Sequence, residues 1–123
     1  MDRMDRINQA IKEEISNIVQ REVKDPRLGF VTITQTEVSR DLQHARIYFS
    51  VLGEKEKVDA AQEGLDSARG FIRKLIGQRV RMRFTPEIEF VFDRSIEYGI
   101  RIEEALAEIK NERTKVNTKN KRK

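Results

Sequence analysis

Cysteine is absent from the 123 residues, so disulfides, thiolate metal sites and cysteine nucleophiles are excluded. Histidine occurs once, at His44, and no set of residues has the spacing of a zinc site. The six glycines fall at 29, 53, 64, 70, 77 and 99. They give neither a dinucleotide-binding fingerprint nor a Gly-Lys-Ser/Thr phosphate loop. No apolar run approaches the roughly 20 residues of a membrane span. The start, Met1-Asp2-Arg3-Met4-Asp5-Arg6, alternates charges and lacks the apolar stretch of a secretory leader. The expected location is therefore the cytoplasm, away from any membrane.

What the chain does have is charge. Hydrophobic and charged residues each make up 37% of it, enough for one modest core under a heavily charged surface. The net charge of +4 is unevenly spread. Residues 110 to 123 hold seven Lys or Arg and one Glu, while the first 109 hold 18 basic and 20 acidic residues. The chain is read as one domain over 1–109 followed by a basic tail over 110–123. The tail has no apolar residue but Val116, too little to bury, and is expected to be disordered. A basic total alone does not place a basic face on the domain.

Met4, Ile7, Ile11, Ile15 and Ile18 recur at steps of three and four, which predicts an amphipathic helix over 3–22. Asp25-Pro26-Arg27-Leu28-Gly29 predicts a turn. Residues 30–38 and 44–52 are β-branched or alternate in polarity, and a polar connection of five residues joins them as an antiparallel hairpin. Helical spacing returns at Val58, Ala61, Leu65 and Ala68 and continues through Ile72, Leu75 and Ile76. Gly70 in the middle predicts two helices meeting at a kink, because an internal glycine costs about 1 kcal/mol relative to alanine. Gly77 is expected to cap the second of them. Residues 80–92 alternate basic or acidic with apolar and predict a long strand, with Pro86 marking an edge or a bulge. Phe49, Phe84, Phe90 and Phe92 fall on expected core faces, and Tyr48 on the opposite one. Ser95 can cap a last helix to about 112. The fold expected is α+β, with a three-stranded sheet and helices on one face.

Catalytic constellations are poorly supported. Ser39, Asp41 and His44 lie close in sequence but flank a turn, with no nucleophile elbow. Glu87 and Glu89 would share a strand face, where they more often solvate an edge than hold a cation. The asymmetric stretch is 69–83, with Arg69, Arg73, Lys74, Arg79, Arg81 and Arg83 and no acid. Arg69 and Arg73 are one helical turn apart, and Arg81 and Arg83 would share a strand face. Guanidinium groups in such an array suit a phosphate backbone, which they can bond bidentately. A plain solvated surface has the same composition.

Several segments together resemble the ribosome-binding factor A family, and through it the type II KH domain. They are Asp25-Pro26-Arg27-Leu28-Gly29-Phe30-Val31-Thr32-Ile33-Thr34, Val38-Ser39-Arg40-Asp41-Leu42, and Ala45-Arg46-Ile47-Tyr48-Phe49-Ser50-Val51-Leu52-Gly53. Gly70-Phe71-Ile72-Arg73, Pro86-Glu87-Ile88-Glu89-Phe90 and Phe92-Asp93-Arg94-Ser95 extend the match to roughly residues 4–108. The resemblance implies the order α-β-β-α-kink-α-β with an added C-terminal helix. The Gly-x-x-Gly loop by which ordinary KH domains clamp a single strand is missing. Ala68-Arg69-Gly70 stands in its place and resembles the family's Ala-x-Gly kink, which adds Ala68 and Gly70 to the RNA-binding set.

The resemblance further implies a monomeric, cofactor-free factor that binds 16S rRNA in free, immature 30S subunits and not mature 70S ribosomes. It implies a role in maturing the 5′ end region of that rRNA, with importance in the cold. On the residues alone two other readings stay open. One is a general RNA chaperone or single-strand binder. The other is a metal-dependent nuclease using Glu87, Glu89 or Asp93.

Overall fold

The computed structural model describes residues 1–95. The expected last helix, the basic tail and the 109/110 boundary lie outside these residues. Helix α1 spans Arg3–Asn17. Asp2 starts it with a reciprocal cap: its carboxylate accepts the Asp5 N–H at 2.9 Å, and the Asp5 carboxylate accepts the Asp2 N–H at 3.2 Å. Ile11 and Ile15 are buried, as the spacing requires. The helix continues into a single π turn, Ile18–Glu22, that buries Ile18 and Val19. A 3-10 turn at Pro26–Leu28 follows. There Asp25 accepts the Arg27 N–H and is gripped by both ends of the Arg27 guanidinium fork. The Leu28 side chain reaches the second helix at Gly64, where a Cβ would come within 3.0 Å of Leu28 Cδ2. Gly64 therefore makes room for this contact.

Strands β1 (Val31–Val38) and β2 (His44–Val51) pair antiparallel, from Val31 opposite Val51 to Val38 opposite Ala45. A bulge at Thr34 shifts the register between Ile33 and Gln35. Leu42 turns the chain with φ 62°, and the Ser39 N–H donates to the His44 carbonyl at 2.8 Å. Helix α2 spans Lys55–Arg79, and β3 (Glu87–Phe92) then pairs parallel to β2, with Ala45 opposite Ile88 and Phe49 opposite Phe92. The result is the expected α+β arrangement: a three-stranded mixed sheet ordered β1-β2-β3, with α1 and α2 packed against it. Val31, Ile33, Ala45, Ile47, Phe49, Ile88 and Phe90 form one buried core with the isoleucines of the helices. Asn8 ties α1 to β1, its carbonyl accepting the Thr36 hydroxyl and its side-chain oxygen accepting the Val38 N–H.

Several expectations are corrected. First, α2 is a single helix of 25 residues, not two helices broken at Gly70. Ile72 and Ile76 beyond the glycine are as fully buried as Ala61 and Leu65 before it. Each large aliphatic side chain so buried contributes about 1.5–3 kcal/mol, which outweighs the glycine cost of about 1 kcal/mol. Gly77 lies inside this helix and caps nothing; the helix ends at Arg79, with Val80 extended. Second, the last strand begins at Glu87, not near residue 80. Its neighbour β2 starts at His44, so residues 80–86 have no strand to pair with. Third, Phe84, which belongs to that unpaired loop, is 45% exposed and not in the core.

Candidate nucleic-acid interface

The eight residues singled out from the sequence divide by the work they do. Ala68 is half-buried and packs against the core from α2. Gly70 is exposed, and a Cβ built on it meets nothing within 4 Å. Arg73 points from α2 to the loop that follows the helix. Its Nε donates to the Pro86 carbonyl at 3.1 Å and its Nη2 to the Thr85 carbonyl at 2.9 Å. The same nitrogen lies 3.4 Å from a Glu87 carboxylate oxygen. Arg73 therefore latches the start of β3 to the helix. Arg79 is also committed, to Glu22 at 2.7 Å and Glu14 at 3.9 Å on the first helical segment.

The other four cations are differently placed. Arg69, Lys74, Arg81 and Arg83 are exposed, and none forms an ion pair among the described residues. Arg81 and Arg83 do not lie on a strand. Still, Val80 before them and Met82 between them pack against the core, so the alternation of the sequence survives in an unpaired loop. The Arg83 guanidinium sits 5.3 Å from the centre of the Phe84 ring, within reach of a cation–π contact. Residues 69–83 thus carry six positive charges, two used by the fold and four left on the surface.

The open face of the sheet is organised otherwise. Glu37, Arg46 and Glu89 stand opposite one another across the three strands. Arg46 and Glu89 approach to 3.8 Å, and the Tyr48 hydroxyl donates to Glu37. Glu87 faces Arg73. No group of three His, Asp or Glu among the described residues is placed to hold a metal ion. The Ser39 hydroxyl donates to Asp41 at 2.6 Å and accepts the backbone N–H of His44 at 3.0 Å. It is therefore a turn residue and is not aligned on an imidazole. That hydroxyl, aided by the Gln43 N–H, holds the Asp41 carboxyl below its ordinary range.

A feature the sequence did not announce lies at one end of the sheet. A groove of about 290 Å³ opens between the first turns of α1, the β1–β2 turn and the loop before β3. Arg3, Arg40, Arg83 and Phe84 line it, over an apolar floor that includes Met4 and Leu42. Arg3 and Arg40 are isolated in the sequence, and only the fold brings them to Arg83.

The model of the ribosome-binding factor A family matches residues 3–106. The chain belongs to the ribosome-binding factor A family. A ribosome-binding factor A from Halothermothrix orenii is 50% identical over 107 residues, covering 87% of this chain and 88% of that protein. The crystal structure of ribosome-binding factor A from Thermus thermophilus superposes with a TM-score of 0.67 at 26% identity, covering 75% of this chain and 98% of that one. A homology model of Thermus thermophilus ribosome-binding factor A, fitted into the cryo-EM map of its complex with the 30S subunit, superposes with a TM-score of 0.59. That match is 28% identical and covers 71% of this chain and 91% of the other. The α+β fold with its mixed three-stranded sheet is thus shared with solved members of the ribosome-binding factor A family.

Proposed function

We propose that this chain binds the immature 30S subunit through its 16S rRNA and promotes late maturation, including processing of the rRNA 5′ end region, without itself catalysing a reaction. The observation that carries this reading is the set of cations Arg69, Lys74, Arg81 and Arg83, without an ion pair among the described residues, on the C-terminal half of α2 and the adjoining loop. A phosphate backbone is the ligand such a set fits, because neutralising it releases condensed counterions. Family membership, and the relative fitted into a complex with the 30S subunit, support the small subunit as the source of that backbone. Ala68 and Gly70 lie on the same helix segment. Arg73 and Arg79 serve the interface indirectly, by fixing the loop and the helix end.

Binding energy takes the place of chemistry. A ligand shifts a conformational equilibrium only by its differential affinity for the two states. The factor therefore holds one immature rRNA arrangement and leaves when the mature arrangement no longer fits it. It acts as a cytoplasmic monomer on free 30S subunits and not on 70S ribosomes, and its loss is felt most in the cold.

The test is co-sedimentation with immature 30S, mature 30S and 70S particles across a salt series. The expected result is tightest binding to the immature subunit, weakening steeply with salt. Equal binding to all three, or binding indifferent to salt, contradicts the proposal.

A further inference from the structure

The groove between α1, the β1–β2 turn and the loop before β3 combines three properties. Its rim is cationic: Arg3, Arg40 and Arg83 form no ion pair among the described residues. The one acid on its lining, Asp41, is held by the Ser39 hydroxyl and the Gln43 N–H and forms no ion pair with them, so three cations face one carboxylate and the rim stays net positive. One wall is aromatic, because Phe84 is 45% exposed. The floor is apolar, with Leu42 at 9% exposure and Met4 packed against the core. The volume of about 290 Å³ lies at the lower end of the range for small-molecule pockets, about 300–1,000 Å³. That is more room than a phosphate group alone requires, and the ring gives a phosphate nothing.

We infer that this groove takes a single unpaired nucleotide of an RNA strand, its base against Phe84 and the apolar floor, its phosphates on Arg3, Arg40 and Arg83. Every base has a π-face, so a lone exposed ring beside guanidinium groups suits a nucleotide of any sequence. Splayed, unpaired bases are what proteins read in structured RNA, since the major groove of an RNA helix is too narrow for side chains. The inference rests on the RNA-binding reading above but adds a second contact of another kind. The cations of α2 would follow the backbone wherever it runs, whereas the groove selects a position where one base is unstacked. Three segments far apart in sequence build it, so it exists only in the folded chain.

The chain has two tyrosines and no tryptophan, so Phe84→Trp introduces a single tryptophan, excited selectively, on the groove wall. Titration with a hexaribonucleotide should quench it saturably, and Arg40→Ala should weaken that quenching. In parallel, Phe84→Ala should bind immature 30S subunits about 5- to 150-fold more weakly than the parent, the range for losing one base–aromatic stack. Both signals are required, and the absence of either overturns the inference. Quenching by adenosine monophosphate that the hexaribonucleotide does not reproduce also overturns it, by pointing to a free nucleotide as the ligand. If the parent chain itself fails to bind immature subunits, the broader RNA-binding proposal falls. If the parent binds and Phe84→Ala binds equally well, only the groove assignment falls.

Discussion

The open face of the sheet and the segment from Arg69 to Arg83 are both densely charged, yet they treat charge in opposite ways. On the sheet, Glu37, Arg46 and Glu89 alternate in sign across three adjacent strands; Arg46 pairs with Glu89, and Glu37 accepts from the Tyr48 hydroxyl. In the segment, two of six cations are consumed by the fold and four face solvent with no ion pair among the described residues. What separates them is whether a partner is already present among the described residues.

The comparison can be tested at both regions. The largest effect on stability should come from a cation that the fold consumes. Arg73→Ala loses two charge-assisted hydrogen bonds to the Thr85 and Pro86 carbonyls. Such bonds contribute about 1.5–3 kcal/mol each; with the side chain 41% exposed, a total of about 2 kcal/mol is expected in urea unfolding. A loss below about 0.5 kcal/mol would mean that the loop is held by its apolar contacts alone. By contrast, Lys74→Ala with Arg81→Ala should leave unfolding unchanged and weaken subunit binding. The slope of log affinity against log salt should fall by about 2, one for each phosphate contact.

Gly70→Ala should stabilise the domain by about 0.5–1 kcal/mol in the same unfolding experiment, because the methyl group meets open space on a regular helix. If RNA approaches the backbone at Gly70, the same variant should bind immature subunits less tightly than the parent. Acid tests the paired charges again. The Arg27 guanidinium, with the Arg27 N–H, holds the Asp25 carboxyl below its ordinary value of 3.8. A depressed carboxyl stabilises the folded turn above that value, and the contribution is lost as pH falls through the lower, folded one. Amide protection at Arg27 and Leu28 should therefore drop only below about pH 4, and Asp25→Asn should remove this pH dependence. Smallest of all, Arg46→Ala should cost at most about 0.5 kcal/mol and leave subunit affinity unchanged, since its pairing with Glu89 is exposed.

Much of this molecule is legible in its sequence where one element decides its own structure. The isoleucine spacing of α1 and the two alternating runs of the hairpin needed no outside information, and the observed elements fall within a few residues of the expected ones. The misreadings share a different cause. Arg81-Met82-Arg83-Phe84 alternates like a strand, but whether an alternating run pairs depends on how far its neighbour extends, and β2 begins only at His44. Gly70 reads as a break, but burial of Ile72 and Ile76 beyond it decides for continuity. At the interface, the basic run could be found from composition. Which arginines were already taken could not, because the acceptors of Arg73 are backbone carbonyls and those of Arg79 lie on another helix. The groove was hidden for the same reason: Arg3 and Arg40 carry no pattern until the fold sets them beside Arg83 and Phe84.

Asn8 has a consequence for the protein's solubility. Among the described residues, strand β1 pairs with β2 on one side only, and its other side could template the addition of a strand from a second copy. The Val38 N–H on that side is already given to the Asn8 side chain, and the bulge at Thr34 interrupts the even ladder an added strand would need. Together they discourage edge-to-edge aggregation.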